Sequence, residues 1–176
     1  ESNIEFVSTG DTISLDGMTF HIISPQKLND EGGNQDSICF VLDIDPDNNA
    51  VTDWKAFFCG DAEQETVSKL IDEGLLSDID VLKVAHHGSK YSSSEDFLAK
   101  ASPETAVISV SADDTALPDY YITALLNSVC KNVYRTDSDK TVMITVENGE
   151  ICTKTHAWKV DYKLNNVIIL FTDMEE

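Results

Sequence analysis

The sequence predicts a layered α/β domain built on a central sheet, and three observations carry that expectation. Short apolar runs suited to buried strands (Ala56-Phe57-Phe58-Cys59, Val81-Leu82-Lys83-Val84-Ala85 and Ala106-Val107-Ile108-Ser109-Val110) alternate with segments whose apolar residues recur at helical spacing. A hairpin and a further strand precede this alternation, and strands with hairpin signals follow it. No internal repeat or low-complexity tract interrupts the 176 residues, which have the length of a single domain with a real core.

Residues 1–23 read as a β-hairpin, with Ile13 and Leu15 on one arm, Met18, Phe20 and Ile22 on the other, and Asp16-Gly17 as the turn. His21 alternates with the apolar positions of its arm and reads as an exposed strand residue rather than a ligand. A polar loop over residues 25–36 leads into a strand over 37–44, and a second polar loop over 45–53 leads to the strand ending in Cys59. Val67, Leu70, Ile71 and Leu75 form the apolar face of the next helix. After the run at Val81, Ser92, Ser93 and Ser94 offer N-caps to a short helix closed by Pro103, with Glu95 and Asp96 at capping-box distance from the first two. Pro118 suits the first position of a helix whose inner face is Ile122, Leu125, Leu126 and Val129. The tail reads as antiparallel strands over 142–146, 151–155 and 167–171, with turn signals at Asn148-Gly149 and Asn165-Asn166.

Composition narrows the function. Lys and Arg number 12 against 32 Asp and Glu, a formal charge of −20, and such a surface repels polyanions unless a metal ion or a basic patch intervenes. Sequence-independent DNA binding by this chain alone is therefore disfavoured. The apolar run over residues 167–171 is far short of the roughly 20 residues that span a bilayer, so no membrane segment is expected. Cys39, Cys59, Cys130 and Cys152 are widely spaced and form no Cys-x-x-Cys pair, which argues for buried free thiols rather than a zinc ribbon or a redox motif. Phosphate-loop and dinucleotide fingerprints are absent.

The chemistry gathers at predicted strand ends. The strand at Val81 delivers His86 and His87 to its carboxyl end, the side on which open α/β sheets collect ligands, and Gly88 permits a sharp turn there. Asp61 ends the preceding strand, where it is a natural N-cap and also a plausible metal ligand. The loop over residues 109–118 would bring Asp113 and Asp114 to the same edge. Carboxylates and imidazoles together are the ligands of a hydrolytic Zn²⁺ or Mn²⁺ site, although such a site needs three protein ligands or more. A serine hydrolase using Ser89 or Ser111 with one of the histidines is the weaker reading, because no Gly-x-Ser-x-Gly occurs.

Four stretches carry a resemblance. Phe57-Phe58-Cys59-Gly60-Asp61-Ala62-Glu63, Asp80-Val81-Leu82-Lys83-Val84-Ala85-His86-His87-Gly88-Ser89-Lys90 with Ser92-Ser93-Ser94, Ala106-Val107-Ile108-Ser109-Val110 and Val133-Tyr134-Arg135-Thr136-Asp137 resemble the carboxyl-terminal half of a metallo-β-lactamase fold. The branch is that of the hydrolase domain of ComEC-type DNA-uptake competence proteins and its soluble stand-alone relatives. Asn34 and Ser37, ahead of a strand, match it too, and the likeness runs over about residues 13–149.

The resemblance implies an αββα sandwich, with residues 1–176 a single domain forming its carboxyl-terminal part, and metal-dependent hydrolysis of nucleic acid or another phosphodiester. It assigns metal binding to Asp61 and His87, catalytic roles to His86 and His87, and phosphate contacts to Ser89 and Lys90. One or two Zn²⁺ or Mn²⁺ ions are implied, with most ligands upstream, since the family's first metal motif (His-x-His/Asp-x-Asp-His) is not in this chain and Leu117 stands where the family carries a histidine. The fragment alone is accordingly expected to be inactive, and to pair with an upstream half or a second copy because half a sandwich leaves a sheet face bare. The alternatives are a non-catalytic binding or scaffold module on a degenerate fold, and a lactonase or thioester hydrolase on the same fold. A stand-alone relative would be cytoplasmic and a part of a membrane competence protein extracytoplasmic.

Overall fold

The computed structural model describes residues 6–28, 32–45, 49, 53–76, 78–147, 150–156 and 168–171. Seven strands form one mixed sheet in sequence order: β1 (Thr12–Leu15), β2 (Met18–Ser24), β3 (Cys39–Ile44), β4 (Trp54–Phe58), β5 (Val81–Lys83), β6 (Thr105–Ile108) and β7 (Asn132–Arg135). The first four are antiparallel neighbours, and β4 to β7 run parallel. The first hairpin turns at Asp16 and Gly17, both with positive φ (43° and 79°), as a two-residue turn matched to strand twist requires. Residues 1–5 of the predicted hairpin lie outside the described residues, as do the Asn148-Gly149 and Asn165-Asn166 turns.

Parallel neighbours need crossovers, and three helices supply them: α1 (Gln64–Asp72), α2 (Glu95–Ala101) and α3 (Tyr120–Val129). All three pack on one face of the sheet. Val67, Leu70, Phe97, Leu98, Ala101, Ile122 and Leu126 meet Ile23, Val41, Phe57, Leu82, Ala106 and Ile108 in one buried core. A short α4 (Thr136–Asp139) follows β7. The sequence reading missed both β7 and α4, because β7 offers only Val133 and Tyr134 between Asn132 and Arg135 and α4 is a single polar turn.

The opposite face is not bare. β8 (Val142–Glu147), β9 (Glu150–Thr155) and β10 (Ile168–Phe171) form an antiparallel sheet in the order β10-β8-β9. Val142, Ile144 and Val146 of β8 pack against Leu42, Ile44, Ala56, Val81 and Val107 of the large sheet. The expectation of a bare face is corrected by this tail sheet, whose strand β8 presents the alternate residues Val142, Ile144 and Val146 to the large sheet. The layers among the described residues are thus helices, large sheet and small sheet.

Local boundaries also differ from the sequence reading. Ser94 alone caps α2, accepting from the Phe97 N–H at 3.1 Å, whereas Ser92 and Ser93 are buried before the helix starts. Pro118 precedes the cap of α3. Asp119 is the cap, accepting from the N–H groups of Tyr121 and Ile122. Leu75 lies beyond α1, which Gly74 (φ 72°) terminates, and it is 40% exposed. No described helix is long and apolar enough to cross a membrane.

Candidate functional site

Three neighbouring parallel strands end on the same edge, and their ends carry the site. At the end of β4, Gly60 takes φ +53°, and a Cβ there would lie 3.2 Å from Cβ of Ser37. Its carbonyl accepts from the His86 N–H at 3.0 Å, tying the end of β4 to the end of β5. The Asp61 N–H donates to Ser37 Oγ at 3.1 Å. Asp61 does not cap α1, since Glu63 occupies the cap position and the tight turn at Cys59-Ala62 holds Asp61 short of the helix. Its carboxylate is left on the side of His87, with the side chain 46% exposed.

The histidines sit in a strained turn. His86 (φ 47°, ψ 45°), His87 (φ 53°, ψ 25°) and Gly88 (φ 77°) occupy the left-handed region in succession, which L side chains rarely adopt. Strain of this kind costs on the order of 1–3 kcal/mol per residue and concentrates at functional sites. Hydrogen bonds at both ends hold it: His86 N–H to Gly60, Ser89 N–H to the His86 carbonyl at 2.9 Å, and Asp119 N–H to the Gly88 carbonyl at 2.9 Å.

His87 Nδ1 lies 2.7 Å from the carbonyl oxygen of Ser109, at the end of β6. This bond turns Nε2 toward Asp61, whose Oδ1 lies 3.6 Å away, too long for a hydrogen bond. His86 Nδ1 lies 3.4 Å from Nδ2 of Asn34, which itself donates to Oε1 of Glu63 at 3.0 Å. Lys83 reaches into the same region. Its ammonium donates to the Val84 carbonyl at 2.7 Å, and burial holds its pKa below the usual lysine value, opposed in part by the charge of Asp61.

The structure brings Asp61, His86 and His87 together, as the sequence predicts. A cleft of about 220 Å³ is lined by His87, Ser109, Val110, Ser111 and Asp114. Asp114 reaches this cleft, but its Oδ1 accepts from the N–H groups of Ala116 and Leu117 and so closes its own loop. Leu117 packs against the helix-side core. Ser89 is buried, its Oγ accepting from the Tyr91 N–H at 3.3 Å, while the Lys90 ammonium lies over the Tyr91 ring, 4.8 Å from its centroid. His21 is half-exposed, with Nε2 3.1 Å from Asp43 Oδ2. A larger cavity of about 760 Å³, lined in part by His21, Asp43, Lys55 and Glu73, opens on the helix-side face and includes none of the residues at the strand ends.

Asn34, Glu63 and Lys83 were not named as site residues from sequence. The signals were thin: Asn34 and Ser37 just before a strand, and Glu63 immediately after Gly60-Asp61-Ala62. As a metal centre the donors fit in kind and fall short in number. A carboxylate and an imidazole suit Zn²⁺ or Mn²⁺, but no group of three metal-ligating side chains occurs among the described residues.

The site thus belongs to a mixed α/β domain that presents a carboxylate and two histidines at the carboxyl ends of parallel strands. No family model matches the chain. It is similar to ComE operon protein 3 of Bacillus subtilis (strain 168), with 30% identity over 146 residues, covering 82% of this chain and 18% of that protein. It is also similar to Recombination protein 2 of Haemophilus influenzae, with 36% identity over 104 residues, covering 59% of this chain and 12% of that protein. The chain therefore spans less than a fifth of the length of these curated relatives.

Proposed function

We propose that this chain is the hydrolase portion of a competence or DNA-uptake protein, on a metallo-β-lactamase-like fold, and that it cleaves phosphodiesters in nucleic acid. The observation that carries the reading is the facing pair of Asp61 and His87, 3.6 Å apart, on an imidazole anchored to Ser109. Similarity to ComE operon protein 3 and to a protein named for recombination, a process that works on DNA, supports the biological setting. The αββα sandwich remains part of this proposal, supported by the second sheet packed on the first.

In this reading Asp61 and His87 are two donors of a shared Zn²⁺ or Mn²⁺ site whose other ligands lie outside the described residues. Such an ion supplies Lewis acidity and a more acidic water. His86 meets the substrate from the far side of the strained turn, and Lys90, exposed at its end, contacts phosphate. The net charge of −20 opposes approach of long DNA, so a basic surface elsewhere in the protein or on a partner guides the strand in.

A second reading is favoured by Leu117 and by the two-donor count: a binding module that retains the fold without catalysis. Elemental analysis separates the two. The full-length gene product and its Asp61→Ala variant are purified, assayed for metal, and tested on a phosphodiester substrate. Near-stoichiometric metal that is lost in Asp61→Ala, together with cleavage, supports the hydrolase. A full-length protein that binds no metal and cleaves nothing leaves the binding module as the better account.

A further inference from the structure

We infer that the two adjacent histidines are held in opposite neutral tautomers, His87 with a bare Nε2 and His86 with a protonated Nε2, and that Asn34 is the positioning residue that sets the second. Both tautomers trace back to groups that can only accept. The Ser109 carbonyl, 2.7 Å from His87 Nδ1, has no proton to give, so Nδ1 carries the hydrogen. A neutral imidazole has one N–H, which leaves Nε2 with its lone pair. That lone pair faces Asp61 Oδ1 at 3.6 Å. Two acceptors 3.6 Å apart do not bond each other, and a donor shared by both, such as a water or a hydroxyl, would bridge them from one side of the line that joins them.

His86 is fixed the other way through two steps. The Glu63 carboxylate accepts only, so the group of Asn34 at 3.0 Å from it is the NH₂, which settles which way the amide points. The same nitrogen lies 3.4 Å from His86 Nδ1 and offers its second hydrogen there. Nδ1 is then the acceptor, and the proton resides on Nε2. The rings do not bond each other: their centroids are 6.4 Å apart and their planes cross at 73°. Each tautomer is therefore set by its own anchor, one from the end of β6 and one from the turn before β3.

The functional consequence rests on the hydrolytic reading above. Hydrolysis needs an acceptor toward water and a donor toward an anionic oxygen of the substrate. His87 Nε2 and Asp61 form the accepting side, and His86 Nε2–H forms the donating side. The left-handed backbone at both histidines is what points two successive side chains at different anchors.

Long-range proton–nitrogen correlation spectra of the ¹⁵N-labelled chain, in chelator and about two units above the ordinary histidine pKa, read the tautomers directly. His86→Gln and His87→Gln assign the signals. The expected spectrum has the protonated-nitrogen shift on Nδ1 of His87 and on Nε2 of His86. The paired swap Asn34→Asp with Glu63→Gln keeps the net charge and reverses the direction of donation: the amide introduced at position 63 would give its hydrogen to the carboxylate introduced at position 34, and His86 Nδ1 would have to donate. The His86 shifts then exchange between the two nitrogens, while those of His87 stay. Identical tautomers in the parent, or a paired swap that leaves His86 unmoved in a folded chain, overturns the inference. Opposite tautomers in a full-length protein that cleaves nothing would instead sink the hydrolase reading and leave this one standing.

Discussion

A Cβ placed on Gly88 would lie 2.7 Å from Cβ of Pro118, so the turn that carries His86 and His87 is closed against the loop leading into α3. Gly88 also holds φ +77°. Gly88→Ala combines backbone strain of about 1–3 kcal/mol with a contact that must be relieved, itself about 1–3 kcal/mol. The expected loss in denaturant unfolding is roughly 2–6 kcal/mol. Gly74→Ala is the control, with a similar φ of +72° and nothing within 4 Å, and it should cost only about 1–2 kcal/mol. Equal costs at the two positions would mean that Pro118 yields freely.

That contact marks a limit of sequence reasoning. The run of hairpin, strands and crossover helices along the chain and the strand-end positions of Asp61, His86 and His87 were legible, because apolar runs, helical spacing and turn residues encode them locally. The Gly88–Pro118 approach, the Ser109 carbonyl on His87 and the Asn34–Glu63 pair were not. Each joins residues distant in sequence, and a backbone carbonyl has no residue type to read. The tail sheet's role in covering the large sheet was likewise hidden, since alternation shows that a strand has an apolar face without saying what it meets.

Thr136 supports the strand end that anchors His87. It is fully buried at the start of α4, where its Oγ1 accepts from the Val110 N–H and donates to the Val110 carbonyl, both at 2.8 Å. Thr136→Val keeps the shape and removes both bonds. A buried backbone group left unpaired costs about 1–3 kcal/mol, so unfolding free energy should fall by at least that amount. Thr136→Ser retains the hydroxyl and should lose less. A valine variant as stable as the parent would show that water or another group replaces the hydroxyl.

Asp80 gives a pH dependence of defined sign. Its backbone bridges β4 and β6, through its N–H to the Lys55 carbonyl and its carbonyl to the Thr105 N–H. Its carboxyl pKa is raised, chiefly by burial and secondarily by Glu104, against the lowering effect of the Lys55 N–H. A raised folded-state value means that its contribution is fully present below the ordinary carboxylate pKa and is lost as pH rises through the folded value. Asp80→Asn keeps an oxygen to accept from Lys55 and removes the charge. Its melting temperature relative to the parent should therefore climb as pH rises from below the ordinary carboxylate pKa and level off once pH exceeds the raised folded-state value. A relative stability that falls over that interval would contradict the assignment.

The four free cysteines should separate by reactivity. Cys39, Cys59 and Cys130 are buried, and Cys152 is partly exposed. Burial pushes the thiol of Cys39 from 9.0 up to about 11, and that of Cys130 likewise. Burial also raises Cys59 well above its ordinary value. A two-unit rise leaves about a hundredfold less thiolate, and only the thiolate attacks a disulfide reagent. In the native protein Cys152 should react first, and the other three should wait for unfolding and appear together in denaturant. Cys39 and Cys59 bear on the site: the Cys39 thiol donates to the Cys59 carbonyl at 3.3 Å, immediately before Gly60 and Asp61. Mass spectrometry of labelled peptides identifies which thiols react. Rapid native labelling of Cys39 or Cys59 would mean that β3 and β4 part at this end, and Asp61 could not then be held at a fixed distance from His87.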